Sequence, residues 1–414
     1  MNILLISNTC SKNEFERVQK LKSSEKISPQ QNFFSMFIEG LLENNEVERV
    51  ICVAVRTIAE SNTNISELSD WTEYVSNRLS FVYTRVVSCN GKRNIVNYLE
   101  TKRTIRRVIQ NNNSINKTNT VAIIDPLACD LACGAIDALG EIPKVAVVTD
   151  IPVFIGAINK SSGKMKALKY QLKQQIFLRS IQKMQGYCFL TEAMNSINFQ
   201  HKPYCIVEGM VPMTMRPPVK MGKNKKRIVM YAGGLYEKFG VKNLIEAAKE
   251  LHREKFELHL YGEGNCIDYI KEVQSSYPNI VYKGVVGVDE IKEAERNATL
   301  LVNARPCDEE FTKYSFPSKT LEYMSSGRPV LTTKLPGIPV EYFNYLYTMN
   351  DNCIDTIRST LVELLSLAEN ELDEKGLRAQ RYVAENKNAK AQTMKFIKMA
   401  KGICNEKFSL LQRN

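Results

Sequence analysis

The 414 residues exceed what a single ordinary core organises, so two or three domains are expected. Apolar residues make up 44%, yet no run of about 18 uncharged apolar residues occurs, which excludes a bilayer-spanning helix. Eleven scattered cysteines without a CxxC pair argue against a disulfide framework or a zinc ribbon. Three histidines, His201, His252 and His259, leave little material for histidine triads or His-rich metal centres, and no metal ligand set or cofactor is expected. Net charge is +11, but no zinc-finger, RRM or helix-turn-helix signature accompanies it, so nucleic acid is not an expected partner.

Met1 leads into "NILLIS", too short and too polar in its sequel for a leader, and it reads as the first strand of a cytoplasmic protein. Further short, β-branched runs follow at "VERVICVAV", "LSFVYTRVV", "TVAIID" and "PKVAVVTD", separated by longer segments with helical spacing. Such alternation predicts parallel strands with helices on both faces. Residues 151–191 contain no acid at all, while Lys160, Lys164, Lys166, Lys169, Lys173, Arg179 and Lys183 gather around Met165, Leu168, Leu172, Ile176, Phe177 and Ile181. A basic amphipathic helix of this kind suits an anionic membrane surface. A solvated helix face that is merely basic is the alternative.

"RPPVKMGKNKKR", residues 216–227, breaks the alternation with two prolines, a glycine and six basic residues, and reads as part of a linker. Beyond it the alternation restarts with "IVMYAGG", "VKNLIEAAKELHRE", "FELHLYGEG", "CIDYIKEVQSSY", "NIVYKGVV", "VDEIKEAERNA" and "TLLVNARP". Two doubly wound domains joined by a basic hinge are therefore predicted, with ligands at the C-terminal edges of the sheets facing a cleft. The stretch from Asp373 onward is helical in composition, and its Lys387, Lys390, Lys395 and Lys398 fit a solvated face.

In the second half several residues are placed for chemistry. Gly233 and Gly234 stand between a strand and a helix, where backbone amides approach an anion, although a tight turn explains them equally. Lys238 lies in the same connection, within reach of a phosphate. "YGEG" repeats the arrangement at Gly262, again either as a contact or as a turn that clears room. Arg305 follows "LLVNA" at a C-terminal strand edge, a cation directed to the cleft or an ordinary surface arginine. In "TKYSFPSKTLEYMSSGRPVLTT" a helix begins near Ser318. With Ser318 as N-cap, Glu322 falls one residue too late to close a capping box, which leaves its carboxylate to accept from two neighbouring hydroxyls such as a ribose diol. The helix N-terminus and Lys319 would attract the diphosphate of the same ligand.

"YAGGLYEKFGVKNLIEA", "LHLYGEG", "FPSKTLEYMSSGRPVLTT" and "LPGIPVEY" together resemble the nucleotide-sugar domain of the retaining family 4 glycosyltransferases of GT-B fold, in a branch serving bacterial cell-surface polysaccharide synthesis. The likeness runs most strongly from Tyr231 to Tyr342 and continues upstream through "ISPQQNFFSMFIEGL", "VVTDIPVF", "FLTEAMN" and "PYCIVEGMV". It implies an α/β, GT-B fold of two Rossmann-like domains: residues 1–212 binding the acceptor, 213–227 as linker, 228–385 binding the nucleotide sugar, and 386–414 as a helix packing back toward the first domain. Glu322 matches the second glutamate of a Glu-x7-Glu pattern, which holds the donor ribose. The first would fall at Tyr314, a departure that bears on how the donor sugar is gripped. The usual Gly-Arg of the phosphate loop reads Gly233-Gly234 here, and Phe239 displaces the loop lysine to Lys238.

The resemblance thus implies a metal-independent hexosyltransferase that moves a sugar from a UDP- or GDP-sugar to an acceptor hydroxyl with retention. The acceptor would be a glycan or a polyprenyl-linked lipid, reached at the inner face of the cell membrane through residues 160–183. The residues implied for catalysis are Asp150, Lys238 and Glu322; Asp150 alternatively caps the loop that follows it. Those implied for the donor are Gly233, Gly234, Gly262, Arg305, Tyr314, Ser315, Phe316, Ser318, Lys319 and Glu322. A non-catalytic partner subunit, prompted by Tyr314 and the altered phosphate loop, and a nucleotide-sugar epimerase are the rival readings.

Overall fold

The computed structural model describes residues 1–22, 29–56, 67–87, 93–152, 164–198, 200–218, 226–251 and 255–411. The chain forms two compact units, one of residues 1–210 and 389–414 and the other of residues 211–388. Residues 219–225 of the basic linker and the start of the basic segment, up to residue 163, lie outside the described residues.

The first unit is built on an eight-stranded sheet of order β10-β9-β8-β7-β1-β2-β5-β4. Its strands are β1 (Asn2–Ser7), β2 (Arg49–Ala54), β4 (Trp71–Ser76), β5 (Leu79–Tyr83), β7 (Thr120–Ile124), β8 (Lys144–Val148), β9 (Gly186–Phe189) and β10 (Tyr204–Ile206); β3 (Glu67–Leu68) and β6 (Val86–Val87) pair separately. All neighbours are parallel except the edge pair β4 and β5. Parallel strands are covered on both faces, and β1, β5, β7 and β8 are accordingly buried at every position. Strand β4, "WTEYVS", is exposed at nearly every position, and its weak apolar content left it outside the strands read from sequence.

Helix α1 (Lys12–Lys22) follows β1, and α2 (Pro29–Leu42) buries Phe34, Phe37, Ile38 and Leu41 at the spacing of one helical face. Helices α3 (Arg93–Gln110), α4 (Cys129–Ala138) and α5 (Lys164–Gln182) complete the run before β9. In α5, Phe177 and Ile181 are buried, whereas Leu168, Leu172 and Ile176 are 57%, 52% and 42% exposed. The apolar residues read from sequence therefore divide between two faces, only one of which is core.

The second unit carries an all-parallel six-stranded sheet of order β13-β12-β11-β14-β15-β16. The strands are β11 (Arg227–Ala232), β12 (Phe256–Tyr261), β13 (Ile280–Gly284), β14 (Leu300–Asn303), β15 (Val330–Thr333) and β16 (Tyr347–Met349). The intervening helices are α6 (Val241–Lys249), α7 (Ile267–Ser276), α8 (Val288–Asn297), α9 (Ser318–Ser325), α10 (Ile354–Ser366) and α11 (Glu369–Asn386). Strand order reverses between β11 and β14, which opens a crevice at their C-terminal ends, the usual ligand position in an open α/β sheet. Lys387, expected on a solvated face, is instead 3% exposed, with its ammonium 3.0 Å from Glu341 Oε1 and 4.7 Å from the Tyr342 ring centroid. Burial of that stem is repaid by the ion pair and the ring contact.

Helix α12 (Ala389–Leu411) belongs to the first unit. Its Ala389, Thr393, Phe396, Ile397, Ala400 and Ile403 are buried at helical spacing, and the Phe396 ring meets Phe37 of α2 edge-on at 5.4 Å. Asn44 ties the same two helices, donating from Nδ2 to Gly40 O at 2.7 Å and to Thr393 Oγ1 at 3.0 Å. Phe396→Ala should therefore destabilise the first unit by about 3–5 kcal/mol. Urea unfolding followed by circular dichroism measures this as a lowered midpoint.

Candidate functional site

The second unit gathers most of the expected residues at the crevice between β11 and β14. Strand β11 ends at Ala232, and the hydroxyl of Tyr323 grips that residue twice, accepting from Ala232 N at 2.8 Å and donating to Ala232 O at 3.1 Å. Tyr323 sits on α9, so these bonds lock the helix bearing Glu322 against the strand that leads to Gly233. Tyr231 Oη donates to Gly234 O at 3.0 Å and holds the following turn. Gly262, with φ +125, lies so close that a Cβ there would stand 1.9 Å from Gly233 O. No side chain fits between the two turns.

A second close approach places the cations. Gly240 has φ +77, and a Cβ on it would come within 1.9 Å of Ala304 O, so the 237–240 turn rests directly on the end of β14. That approach brings Phe239 beneath Arg305, whose guanidinium carbon is 4.6 Å from the ring centroid and 5.8 Å from that of Phe311. Lys238 Nζ is 5.3 Å from the same Phe239 ring and 5.4 Å from Tyr236. Burial, then the charge of Arg305, pulls the Lys238 ammonium below its usual range, and burial pulls Arg305 down. Two cations sharing one aromatic ring repel, and an anion lodged between them would relieve that repulsion.

Lys319 extends the positive surface: an added Cβ on Gly233 would touch its Cε at 3.8 Å. Its Nζ lies 2.7 Å from Glu322 Oε2, with both side chains one-third exposed. The helix begins at Ser318 with Pro317 in the N-cap position, one residue earlier than read from sequence, and no side-chain cap forms. Proline fixes φ and brings no side-chain acceptor, so Ser318 becomes the first helical residue and the capping-box argument falls away. Nor is the Glu322 carboxylate without company, since Lys319 one turn earlier engages it. Tyr314 and Ser315 are half-buried in the loop before the helix, and Ser318 is exposed. Phe316 is 5% exposed, with its ring 5.4 Å from that of Tyr342. Its side chain therefore supports the loop from the core instead of lining a surface.

Asp150 lies in the first unit, two residues beyond β8. Its Oδ1 accepts from Ile151 N at 2.8 Å, and burial raises its pKa. Sequence reasoning missed the neighbouring Asp125 at the end of β7, which is fully buried. Its carboxylate accepts from Leu127 N at 3.0 Å and from Gln30 Nε2, and burial pushes its pKa up to about 7. The signal was present, since "TVAIID" ends a buried strand in a carboxylate as "VAVVTD" does. Also missed was Glu295, the one fully buried residue of α8, which "VDEIKEAERN" gives no reason to separate from its exposed neighbours.

With this geometry established, known proteins bear on the site. Residues 226–366 match the family model described as glycosyl transferases group 1, which covers the second unit's strands and the whole cluster. No curated protein sequence matches the chain. Among solved structures, the lipopolysaccharide outer core galactosyltransferase WaaB in its apo form is similar at 12% identity and TM-score 0.58, over 96% of this chain and 98% of that one. Anabaena Alr3699/HepE in complex with UDP is similar at 11% identity and TM-score 0.59, over 96% and 99%. A structure described as trehalose-6-phosphate from E. coli bound with UDP-2-fluoro glucose is similar at 9% identity and TM-score 0.64, over 97% and 99%. The chain has the two-domain α/β GT-B glycosyltransferase fold.

Gly240→Ala tests the packing that sets the cations. The added Cβ combines positive φ with a backbone clash, so a loss of about 2 kcal/mol or more is expected, beyond the ordinary cost of an incompatible alanine. Denaturant titration of the variant beside the parent protein measures it.

Proposed function

We propose that the protein is a glycosyltransferase which moves a sugar from a nucleoside diphosphate sugar, with UDP or GDP as carrier, to an acceptor hydroxyl. The observation that carries this reading is the convergence of Lys238, Arg305 and the Lys319–Glu322 pair at the β11–β14 crevice. The cations would neutralise the charge that develops on the departing diphosphate, which is the largest demand of such a reaction. Glu322 would accept from the ribose hydroxyls while Lys319 turns toward the phosphates. Gly233, Gly234 and Gly262 would let backbone approach the diphosphate, and Tyr314, Ser315 and Ser318 would border the donor. The match of residues 226–366 to group 1 glycosyl transferases supports the assignment of this unit to the donor, and the UDP carried by Anabaena Alr3699/HepE supports the carrier.

Transfer with retention follows if the acceptor hydroxyl attacks from the face that the diphosphate leaves, with a leaving phosphate oxygen taking its proton. Lys and Arg then do the work of a metal ion. The first unit would receive the acceptor, with Asp150 on the acceptor side. A polyprenyl-linked acceptor in surface-glycan synthesis fits the face of α5 that exposes Leu168, Leu172 and Ile176 beside Lys173, Arg179 and Lys183. Apolar residues one turn apart with flanking cations suit peripheral attachment to an anionic bilayer. No described helix is long and apolar enough to cross one.

Calorimetry with UDP and GDP tests the donor site. Glu322→Ala should weaken the bound nucleotide by about 2 kcal/mol, two charge-assisted hydrogen bonds being lost, and unchanged affinity would refute the ribose assignment. Absence of nucleotide binding in the parent protein would favour a non-catalytic partner subunit. For the membrane face, flotation with anionic liposomes at low salt should recover the protein. Leu172→Glu and Ile176→Glu together should abolish recovery without altering nucleotide affinity.

A further inference from the structure

Helix α8 is amphipathic, yet the one residue it buries fully is an acid. Glu295 is 2% exposed, and its Oε1 is sealed from solvent without a hydrogen-bond partner. An ionised carboxylate in that position costs several kcal/mol unless it is paired. Lys292 lies one turn earlier on its own helix, while Lys319, Glu322 and Tyr323 act on Glu295 from α9. Tyr231 at the end of β11 is coupled to Tyr323 in turn. Arg296 is next in sequence; its carbonyl accepts from Arg328 Nε at 2.7 Å, and the Arg328 charge is engaged by Asp373 at 2.7 Å. Lys319 thus acts on both acids and is already paired with Glu322, 2.7 Å away.

We propose that Glu295 is a positioning residue for the donor: as a neutral acid it leaves Lys319 and Glu322 poised for the nucleoside diphosphate, and on ionising it draws Lys319 away and weakens donor binding. The inference rests on the donor-site reading above. Burial, then the negative charge of Glu322, pushes the Glu295 pKa from the usual 4.5 up to about 8, so the change of state falls just above neutrality. Ionisation adds a second negative charge that competes with Glu322 for the attraction of the Lys319 ammonium. Lys238 is also held below its usual range, by burial and then by the charge of Arg305, with Glu295 not among the causes.

The test is calorimetric titration of UDP and GDP from about pH 6.5 to about pH 9.5, on the parent protein and on Glu295→Gln. In the parent, affinity should fall about three- to tenfold across this range, since one pKa unit of coupling corresponds to tenfold. In Glu295→Gln it should stay within about twofold of its neutral value. An equal fall in both proteins assigns the effect to Lys238 and overturns the proposal, as does a flat profile in both. Loss of nucleotide binding at every pH overturns the donor-site reading itself, whereas binding that depends on Glu322 but not on Glu295 overturns this inference alone.

Infrared difference spectroscopy of the parent protein decides the case if the variant does not fold. A protonated-carboxyl band that disappears near pH 8 in step with UDP affinity supports the proposal, and its absence at neutral pH sinks it. Stability gives an independent sign. A carboxyl whose folded pKa lies above its unfolded one stabilises fully below 4.5 and loses that contribution as pH rises toward about 8. Glu295→Gln should therefore raise Tm more at the upper end of this window than at the lower end.

Discussion

One phenol hydroxyl organises the second unit. Tyr323 satisfies both the amide and the carbonyl of Ala232, so the last residue of β11 and the helix that carries Lys319 and Glu322 move as one body. The group is 1% exposed, and without its partners each of its two bonds would leave a buried polar atom unpaired. Helix α9 is short, with no side chain capping its first turn, and it would be a poor platform on its own propensity. Its rigidity comes from this tether and from the burial of Thr320, Leu321 and Met324.

The crevice accordingly combines a firm frame with unfavourable electrostatics. Lys238 and Arg305 share Phe239, burial lowers the pKa of both, and Glu295 Oε1 is buried without a hydrogen-bond partner. The cation–ring contacts are favourable in themselves, whereas the closeness of like charges and the unpaired Glu295 Oε1 oppose stability. Local choices that oppose stability are expected at sites of function. The buried pair Glu14–Arg56 of the first unit differs in kind. Its Arg56 also donates to the carbonyls of Ser69 and Thr84 at 2.5 and 2.8 Å, so that charge serves to fasten strands and loops together.

The alternation of strands and helices was legible because parallel strands must be apolar on both faces, and "NILLIS", "TVAIID" and "IVMYA" say so directly. Strands β4, β9, β10 and β16 were not read: β4 is exposed at nearly every position, β9 runs to four residues, and β10 and β16 to three each. At the site, glycines, lysines and Glu322 were visible as residue types at strand ends and a helix start. What supports them was not. The grip of Tyr323, the stacking of Arg305 on Phe239 and the burial of Glu295 are all contacts between elements far apart in the chain. No local pattern distinguishes Glu295 from Glu290 or Glu293; only the packing of α8 onto the sheet does. Phe316 shows the converse, a side chain whose place in a motif suggested contact with a ligand and whose ring faces the core.

The chain passes from the first unit to the second near residue 210 and returns near residue 389, so the second unit is an insertion within the first. The contiguous insert holds all of its own strands and can condense as soon as it is synthesised. The first unit cannot, because Phe37 and its neighbours on α2 await Phe396, Ile397 and Ala400 from the final helix. During translation α2 therefore keeps an uncovered apolar face until residues 389–403 have been made.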